Sequence, residues 1–397
     1  MTDIVITGAA RTAMGGFQGA MSGAKCVDLG ATAIQGAVEK SGLSPDQIDE
    51  VLMGCVLPAG QGQAPGRQAA IKAGIPNTSP ATTVNKMCGS GMKTVMMAVD
   101  QVKAAVANGE EAPVVLAGGM ESMTNAPHLM LSGRTGIRIG HGEIKDHMML
   151  DGLEDAYNPG LAMGVFAEET AKKYQFTREA QDAYALESLA RAKRAIEDGS
   201  FEGEVVPHDI QGRKGVVTVD VDEQPGNAMP DKIPALRPAF AKDGTVTAAN
   251  SSSISDGGAA LIVTTAEEAE KRGAKAIARI VAQASNAHEP EWFTTAPVGA
   301  IQKVLDKTGW SVDDVDLFEI NEAFAVVTMV AMQELSLPHE KVNVNGGACA
   351  LGHPIGCSGT RVIVTLLNAL QKRGLKRGIA SLCIGGGEAT AVAVELI

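Results

Sequence analysis

Residues 40–49, KSGLSPDQID, return as KTGWSVDDVD at residues 307–316, a shift of 307 − 40 = 267. The hexapeptide LAGGME at 116–121 meets CIGGGE at 383–388 at the same shift, 388 − 121 = 267. In each copy a helix-patterned segment closes on a glycine, passes a Ser/Asp turn and enters an apolar strand. That order is β-α-β logic and predicts a mostly parallel sheet. Two copies predict two similar α/β halves related by an approximate two-fold axis.

The first copy is interrupted. After Glu388 the second copy closes with the strand-like ATAVAVEL, residues 389–396, whereas a comparable run after Glu121 arrives only at DGGAALIV, residues 256–263. The expected organisation is an N-terminal half made of 1–121 plus 250–270, an inserted segment 122–249, and a C-terminal half 271–397. The insert begins rich in Gly, Met and His and turns helix-patterned from about residue 164 to 198, with Thr177 placed as an N-cap and Gly199 as a C′ residue.

Composition removes several function classes. Glycine, 46 of 397 residues, is about 12% against a usual ~7%, which implies many tight turns and close backbone approaches. A formal net charge of −12 argues against nucleic acid or an anionic membrane as a partner. Six cysteines without a CxxC pair do not form a disulfide scaffold. The opening MTDIVITGAARTAMGG starts as a strand rather than a signal peptide, and no run approaches the ~18 apolar residues of a membrane span. A reducing, cytoplasmic location is the expectation.

The chemistry concentrates in four stretches. VNKMCGSGMKT, residues 84–94, puts the thiol of Cys88 after the β-leaning run 81–84 and before a Gly-Ser-Gly that opens a helix-patterned segment, 92–106. Free N–H groups and the helix dipole at such a junction favour negative charge, which is how a thiol pKa is lowered and an oxyanion is held. The stretch therefore reads as a nucleophile elbow for acyl transfer, with a buried structural cysteine beside a tight turn as the other reading. Adding 267 to 88 gives 355, inside NVNGGACALGHPIGCSG, so the repeat brings His353 opposite Cys88 as a base, or leaves it a structural histidine. A metal reading of Cys349 with His353 lacks a second ligand pair. Asn321, in NEAFA after the repeated strand, can aim its amide into the cleft or cap a helix. Cys383, ahead of Gly385, Gly386 and Gly387, would bring a second thiol to the same cleft, or sit in the core.

VNKMCGSGMK, INEAFA, NVNGGACALGHPIGCSGTR and CIGGGEATA, together with AARTAMGGF and TVTAANSSSISDGGAA, resemble the thiolase family from end to end. The resemblance implies a five-layered α/β/α/β/α fold with an inserted loop domain that binds coenzyme A. Carried over by motif, Cys88 is the acylated nucleophile, His353 activates it, and Cys383 moves the proton at the substrate α-carbon. Asn321 positions a water that forms one oxyanion hole with His353, and the N–H groups of Cys88 and Gly385 form the other. Leu153, Met163, Ser252, Ala323 and Phe324 fall where the family contacts coenzyme A or the acyl group. Of the insert's basic residues, Lys172, Lys173, Arg178, Arg191, Lys193, Arg194, Arg213, Lys214, Arg237 and Lys242 read as solvated surface, from which a few would meet the coenzyme A phosphates.

The implied reaction is reversible Claisen condensation of two acetyl-CoA molecules to acetoacetyl-CoA and CoA, with thiolysis of a 3-oxoacyl-CoA as its reverse. It needs a nucleophile for one acetyl group, a base for the α-proton of the other, and donors for two oxyanions, but no metal and no redox cofactor. The family also implies a homotetramer or homodimer. One position departs from the pattern, because short-chain biosynthetic members carry His-Met-Gly where this chain has Ala162-Met163-Gly164. The alternative is therefore a broader-range 3-ketoacyl-CoA thiolase of fatty-acid degradation.

Overall fold

The computed structural model describes residues 3–212 and 215–397. Nine strands carry the fold: β1 (Ile4–Thr12), β2 (Glu50–Gly54), β3 (Ala81–Val84), β4 (Val115–Ser122), β5 (Ser255–Thr265), β6 (Ala278–Ala287), β7 (Leu317–Ile320), β8 (Arg377–Ile384) and β9 (Glu388–Leu396). They stand in the order β7-β8-β9-β6-β1-β5-β4-β2-β3, with the two-residue strands Gly15–Gly16 and Val205–Val206 attached to β5 and β1. Only β7 with β8, β4 with β2 and β2 with β3 are parallel; the other five junctions are antiparallel, so the sheet is mixed and not mostly parallel as expected. The two half-sheets are joined in register by two residue pairs of β1 and β6, Val5 with Arg279 and Ile6 with Ala278. The helices used below are α1 (Cys26–Ser41), α2 (Pro65–Lys72), α3 (Ser90–Ala107), α4 (Met163–Tyr174), α5 (Arg178–Glu197), α6 (Ala296–Thr308), α7 (Ala325–Leu335) and α8 (Ser358–Arg373).

Period-two alternation along the strands assigns the layers. Val51, Met53, Leu116, Ala260 and Ile262 pack outward with α1 and α2. Their chain neighbours Leu52, Val115, Ala117, Leu261 and Val263 pack inward with Met92 and Val95 of α3 and Val362 and Leu366 of α8. The second half repeats the scheme. Leu317, Ala380, Leu382, Val392 and Val394 join the same central cluster, while Phe318, Ile320, Ile379, Ala391 and Ala393 face Ile301 and Val304 of α6. Both faces of each half-sheet are thus buried, which is why these strands read as continuous apolar runs. The product is helix, sheet, helix, sheet, helix: the five-layered α/β/α/β/α fold. A register shift lies between Ile280 and Ala282, and it lets these residues, two apart, face opposite layers.

In the central layer α3 and α8 touch at their N-terminal ends. A Cβ on Gly91 would lie 2.8 Å from the Thr360 nitrogen, and one on Gly359 would lie 2.2 Å from the Met92 nitrogen. Only residues without side chains permit this approach, and it sets Cys88 beside the loop that carries His353. The symmetric partners are offset by 359 − 91 = 268, close to the expected repeat. The second sequence match does not hold in space, because Val115 pairs with Glu50 and Gly378 pairs with Leu317, an offset of 378 − 115 = 263. The glycines of LAGGME and CIGGGE are therefore not structural counterparts. The slip arises because α8 is 16 residues against 18 for α3 and its connection to the next strand is shorter.

Strands β4 and β5 are antiparallel neighbours, Ser122 against Asp256, and between them the chain makes a long excursion that carries α4 and α5. The Thr177 hydroxyl caps α5 by accepting from the Ala180 N–H at 3.2 Å, and Gly199 beyond its end has φ 74°. The excursion is tied to the sheet through Arg11, which ion-pairs with Glu204 at 2.5 Å and Asp222 at 2.7 Å. All three side chains are buried, so loss of Arg11 would leave two carboxylates in the interior without their cation.

Candidate active site

Cys88 sits at a sharp turn between β3 and α3. Met87, just before it, is held at φ 47°, a left-handed conformation that a non-glycine residue adopts only where the surroundings enforce it. The helix opens at Ser90, two residues earlier than the apolar pattern suggests. Opposite, the Gly385 N–H is close enough to the Cys88 sulfur to favour its thiolate, in a turn whose Gly386 and Gly387 have φ 92° and 84°. The thiol opens onto a cavity of about 410 Å³ whose wall includes Met87, Met123, Leu153, Phe240, Phe293 and Phe324 and contains no Asp, Glu, Lys or Arg.

That apolar wall corrects one expectation. Burial pushes the Cys88 thiol up to about 11, against the opposing pull of the Gly385 and Cys88 N–H groups. Lost hydration of the thiolate outweighs two N–H dipoles, so Cys88 rests as a thiol. His353 lines the same cavity, and burial, followed by the nearby Arg361 charge, pushes it down to about 3. It rests as neutral imidazole. Its Nδ1 lies 2.6 Å from Ser358 Oγ, which donates to the Pro354 carbonyl at 2.9 Å. With the hydroxyl hydrogen so engaged, Ser358 accepts from Nδ1–H, leaving the Nε2 lone pair to take a proton.

Among the described residues Cys88 and His353 form no hydrogen bond to each other, so a base role for His353 requires that the proton pass as the sulfur attacks. A direct test is alkylation of Cys88 by iodoacetamide. His353→Ala is expected to slow it near pH 7 on the order of 10²-fold. Because a lone thiol with its pKa pushed up to about 11 gains thiolate only as pH rises toward that value, the variant and the parent should converge at high pH. An unchanged rate and pH profile would mean that the imidazole does not serve this thiol.

Asn321 extends β7 by one rung, its N–H donating to the Ser381 carbonyl at 3.0 Å. Helix α7 begins only at Ala325, so the helix-capping reading of Asn321 fails. Its Nδ2 lies 3.4 Å and 3.5 Å from the two ring nitrogens of His353, near contact rather than a strong bond. The neighbouring Glu322 is buried and accepts from Tyr184 at 2.9 Å, Ser188 at 2.7 Å, Asn343 at 2.8 Å and the Cys349 N–H at 3.0 Å. It fastens α5 to the two loops of the site.

Cys383 is the next-to-last residue of β8. It is fully buried in a cluster with Phe293, Ala323 and Phe324 and is not part of the cavity wall. Its thiol is pushed well above the ordinary range, first by burial and then by the charge of Cys88, so the two sulfurs are near enough to influence each other. Leu153, Met163, Ser252, Ala323 and Phe324 all line the cavity, as does Ala162. Sequence reading missed Phe240, whose ring meets Phe324 edge-on at 6.0 Å, and also Ser358 and Arg361. The last two lie inside or next to the quoted motifs, which was the available signal. Arg213 and Lys214 lie outside the described residues.

One group among the described residues could close on a cation: Cys26, Cys55 and Glu121, all buried, with donor atoms within 4.8 Å of one another. Glu121 is already engaged by the Val56, Leu57 and Gly356 N–H groups at 2.9, 3.3 and 3.0 Å. It reads as an anchor for the loop that follows His353.

Comparison with known proteins agrees with this geometry. The family model described as "Thiolase, N-terminal domain" matches residues 4–267, and "Thiolase, C-terminal domain" matches 274–396. A Chromobacterium violaceum protein named acetyl-CoA acetyltransferase is 48% identical over 395 residues, covering 99% of each chain. One from Thiocystis violacea, of the same name, is 49% identical and covers 99% of this chain and 98% of its own. The crystal structure of the Bacillus anthracis acetyl-CoA acetyltransferase superposes with a TM-score of 0.95 at 41% identity, covering 100% of this chain and 99% of that one.

Proposed function

This chain belongs to the thiolase family, and from that premise we propose that it is an acetyl-CoA C-acetyltransferase, condensing two acetyl-CoA molecules to acetoacetyl-CoA and CoA and running the thiolysis in reverse. The observation that carries the reading is the convergence of the Cys88 thiol, the His353 imidazole and the Gly385 N–H on one uncharged cavity. The names of relatives 47% to 49% identical support the substrate.

The steps balance on this chain's own groups. Cys88 sulfur attacks the thioester carbonyl while its proton passes to His353 Nε2. The CoA thiolate leaves and takes the proton of Cys383. The Cys383 thiolate then removes the α-proton of a second acetyl-CoA, and the enolate oxygen is held by His353 Nε2–H and by a water that Asn321 positions. The enolate carbon attacks acetyl-Cys88, with the resulting oxyanion facing the N–H groups of Cys88 and Gly385. Collapse expels the Cys88 thiolate, which recovers its proton from His353. No metal or redox cofactor enters this scheme. The reading extends to a cytoplasmic homotetramer or homodimer; six free cysteines suit a reducing compartment. Among the described residues, no helix is long and apolar enough to cross a membrane.

The test is thiolysis of a graded 3-oxoacyl-CoA series. Acetoacetyl-CoA is expected to give the largest kcat/KM. Ala162 on the cavity wall leaves room for a somewhat longer chain, so the six-carbon substrate should be accepted more weakly. A maximum at eight carbons or beyond would replace this reading with the broader degradative one.

A further inference from the structure

We propose that Arg361 is a positioning residue that sets which way the Asn321 amide faces. Arg361 lies in the first turn of α8 and is fully buried. Its Nη1 donates to Glu319 at 2.9 Å and its Nη2 to Asn321 Oδ1 at 3.3 Å, while Nε finds no partner among the described residues. A buried guanidinium left partly unsatisfied costs stability. Glu319 and Asn321 are two residues apart along an extended chain and point to one side, which lets a single fork meet both. The next residue, Glu322, points the other way, to Tyr184 and Ser188.

The consequence is directional. Guanidinium can only donate, so the Asn321 oxygen must face Arg361, and the Nδ2 hydrogens are left on the His353 side of the site. Without Arg361 the amide can turn over and present its oxygen where the enolate oxygen develops. That would oppose carbon–carbon bond formation and leave acylation of Cys88 alone. Arg361 also helps keep His353 neutral, consistent with its closeness to both groups. The inference rests on the thiolase reading above.

The experiment is a double-mutant cycle on the whole enzyme. Arg361→Met with Glu319→Gln removes the ion pair together, so no lone charge is buried; it is measured with Asn321 present and in an Asn321→Ala background. With Asn321 present, condensation kcat should fall about tenfold, the size of one lost charge-assisted hydrogen bond. KM and the rate of Cys88 acetylation should change by less than about twofold, and in the Asn321→Ala background the pair replacement should cost less than about twofold. A merely structural role would lower kcat and the acetylation rate and shift KM in both backgrounds, and that result overturns the inference. Should the pair variant not fold, Arg361→Lys keeps the charge opposite Glu319 but loses the fork, and the same pattern is expected. Active parent enzyme with an additive cycle defeats this inference alone; parent enzyme without condensation defeats the thiolase reading.

Discussion

Cys88→Ala should abolish acetyl transfer, with condensation and thiolysis falling on the order of 10⁶-fold, as when the nucleophile of a covalent mechanism is removed. The parent chain mixed with acetyl-CoA should gain about 42 Da, one acetyl for one hydrogen, on the peptide that contains residue 88. The variant should gain nothing on any cysteine. The reason is access and ionisation together. Cys26 and Cys357 are buried in the protein core, with their thiols pushed up, Cys357 to about 12. Cys349 keeps some exposure, but burial and the charge of Glu322 push it well up too. Of the six sulfurs, only that of Cys88 meets the cavity that also holds His353. Folding should be nearly unaffected, because the thiol opens onto the cavity instead of filling the core. Acetylation that persists on a different residue would move the nucleophile elsewhere and undo the proton scheme with it.

Much of the fold was legible in the sequence for a physical reason: in each half the strands alternate between two buried faces, so apolar runs and glycine-closed helices repeat in a recognisable order. The first repeat match marks true counterparts and the second does not, because a chance likeness of two glycine-rich strand ends happened to share the shift. Bulges such as that at Val281 were invisible, since an extra residue in a strand changes no composition. The site was legible at Cys88 and His353, where turn chemistry announces a strained junction. Its electrostatics were not. The elbow motif implies N–H groups that favour a thiolate, but the apolar wall that outweighs them is assembled from Met123, Leu153, Phe240 and Phe293, far apart in the chain. The same holds for Arg361, whose partners Glu319 and Asn321 lie about forty residues away.

The division of labour between the two thiols is where thiolase chemistry separates from simple acyl transfer. In Cys383→Ala the nucleophile, its imidazole and the Gly385 N–H remain in place, and CoA can leave as a thiolate that draws its proton from solvent. The variant should therefore still take up acetyl on Cys88, more slowly than the parent. Formation of the carbon–carbon bond needs a base at the second acetyl group, and alanine cannot accept a proton. Acetoacetyl-CoA synthesis and exchange of acetyl-CoA α-hydrogens with deuterated solvent should both fall by a factor on the order of 10²–10⁴, the loss typical of a missing general base. Burial places Cys383 behind the cavity wall beside Phe324, so a cavity-shaping role is the competing account, and the two diverge in the assay. If Cys383 only supports the wall, α-hydrogen exchange and Cys88 acetylation should decline in parallel. If it is the base, exchange vanishes while acetylation continues, and Cys383→Ser, of nearly the same volume but far less acidic, should resemble the alanine variant.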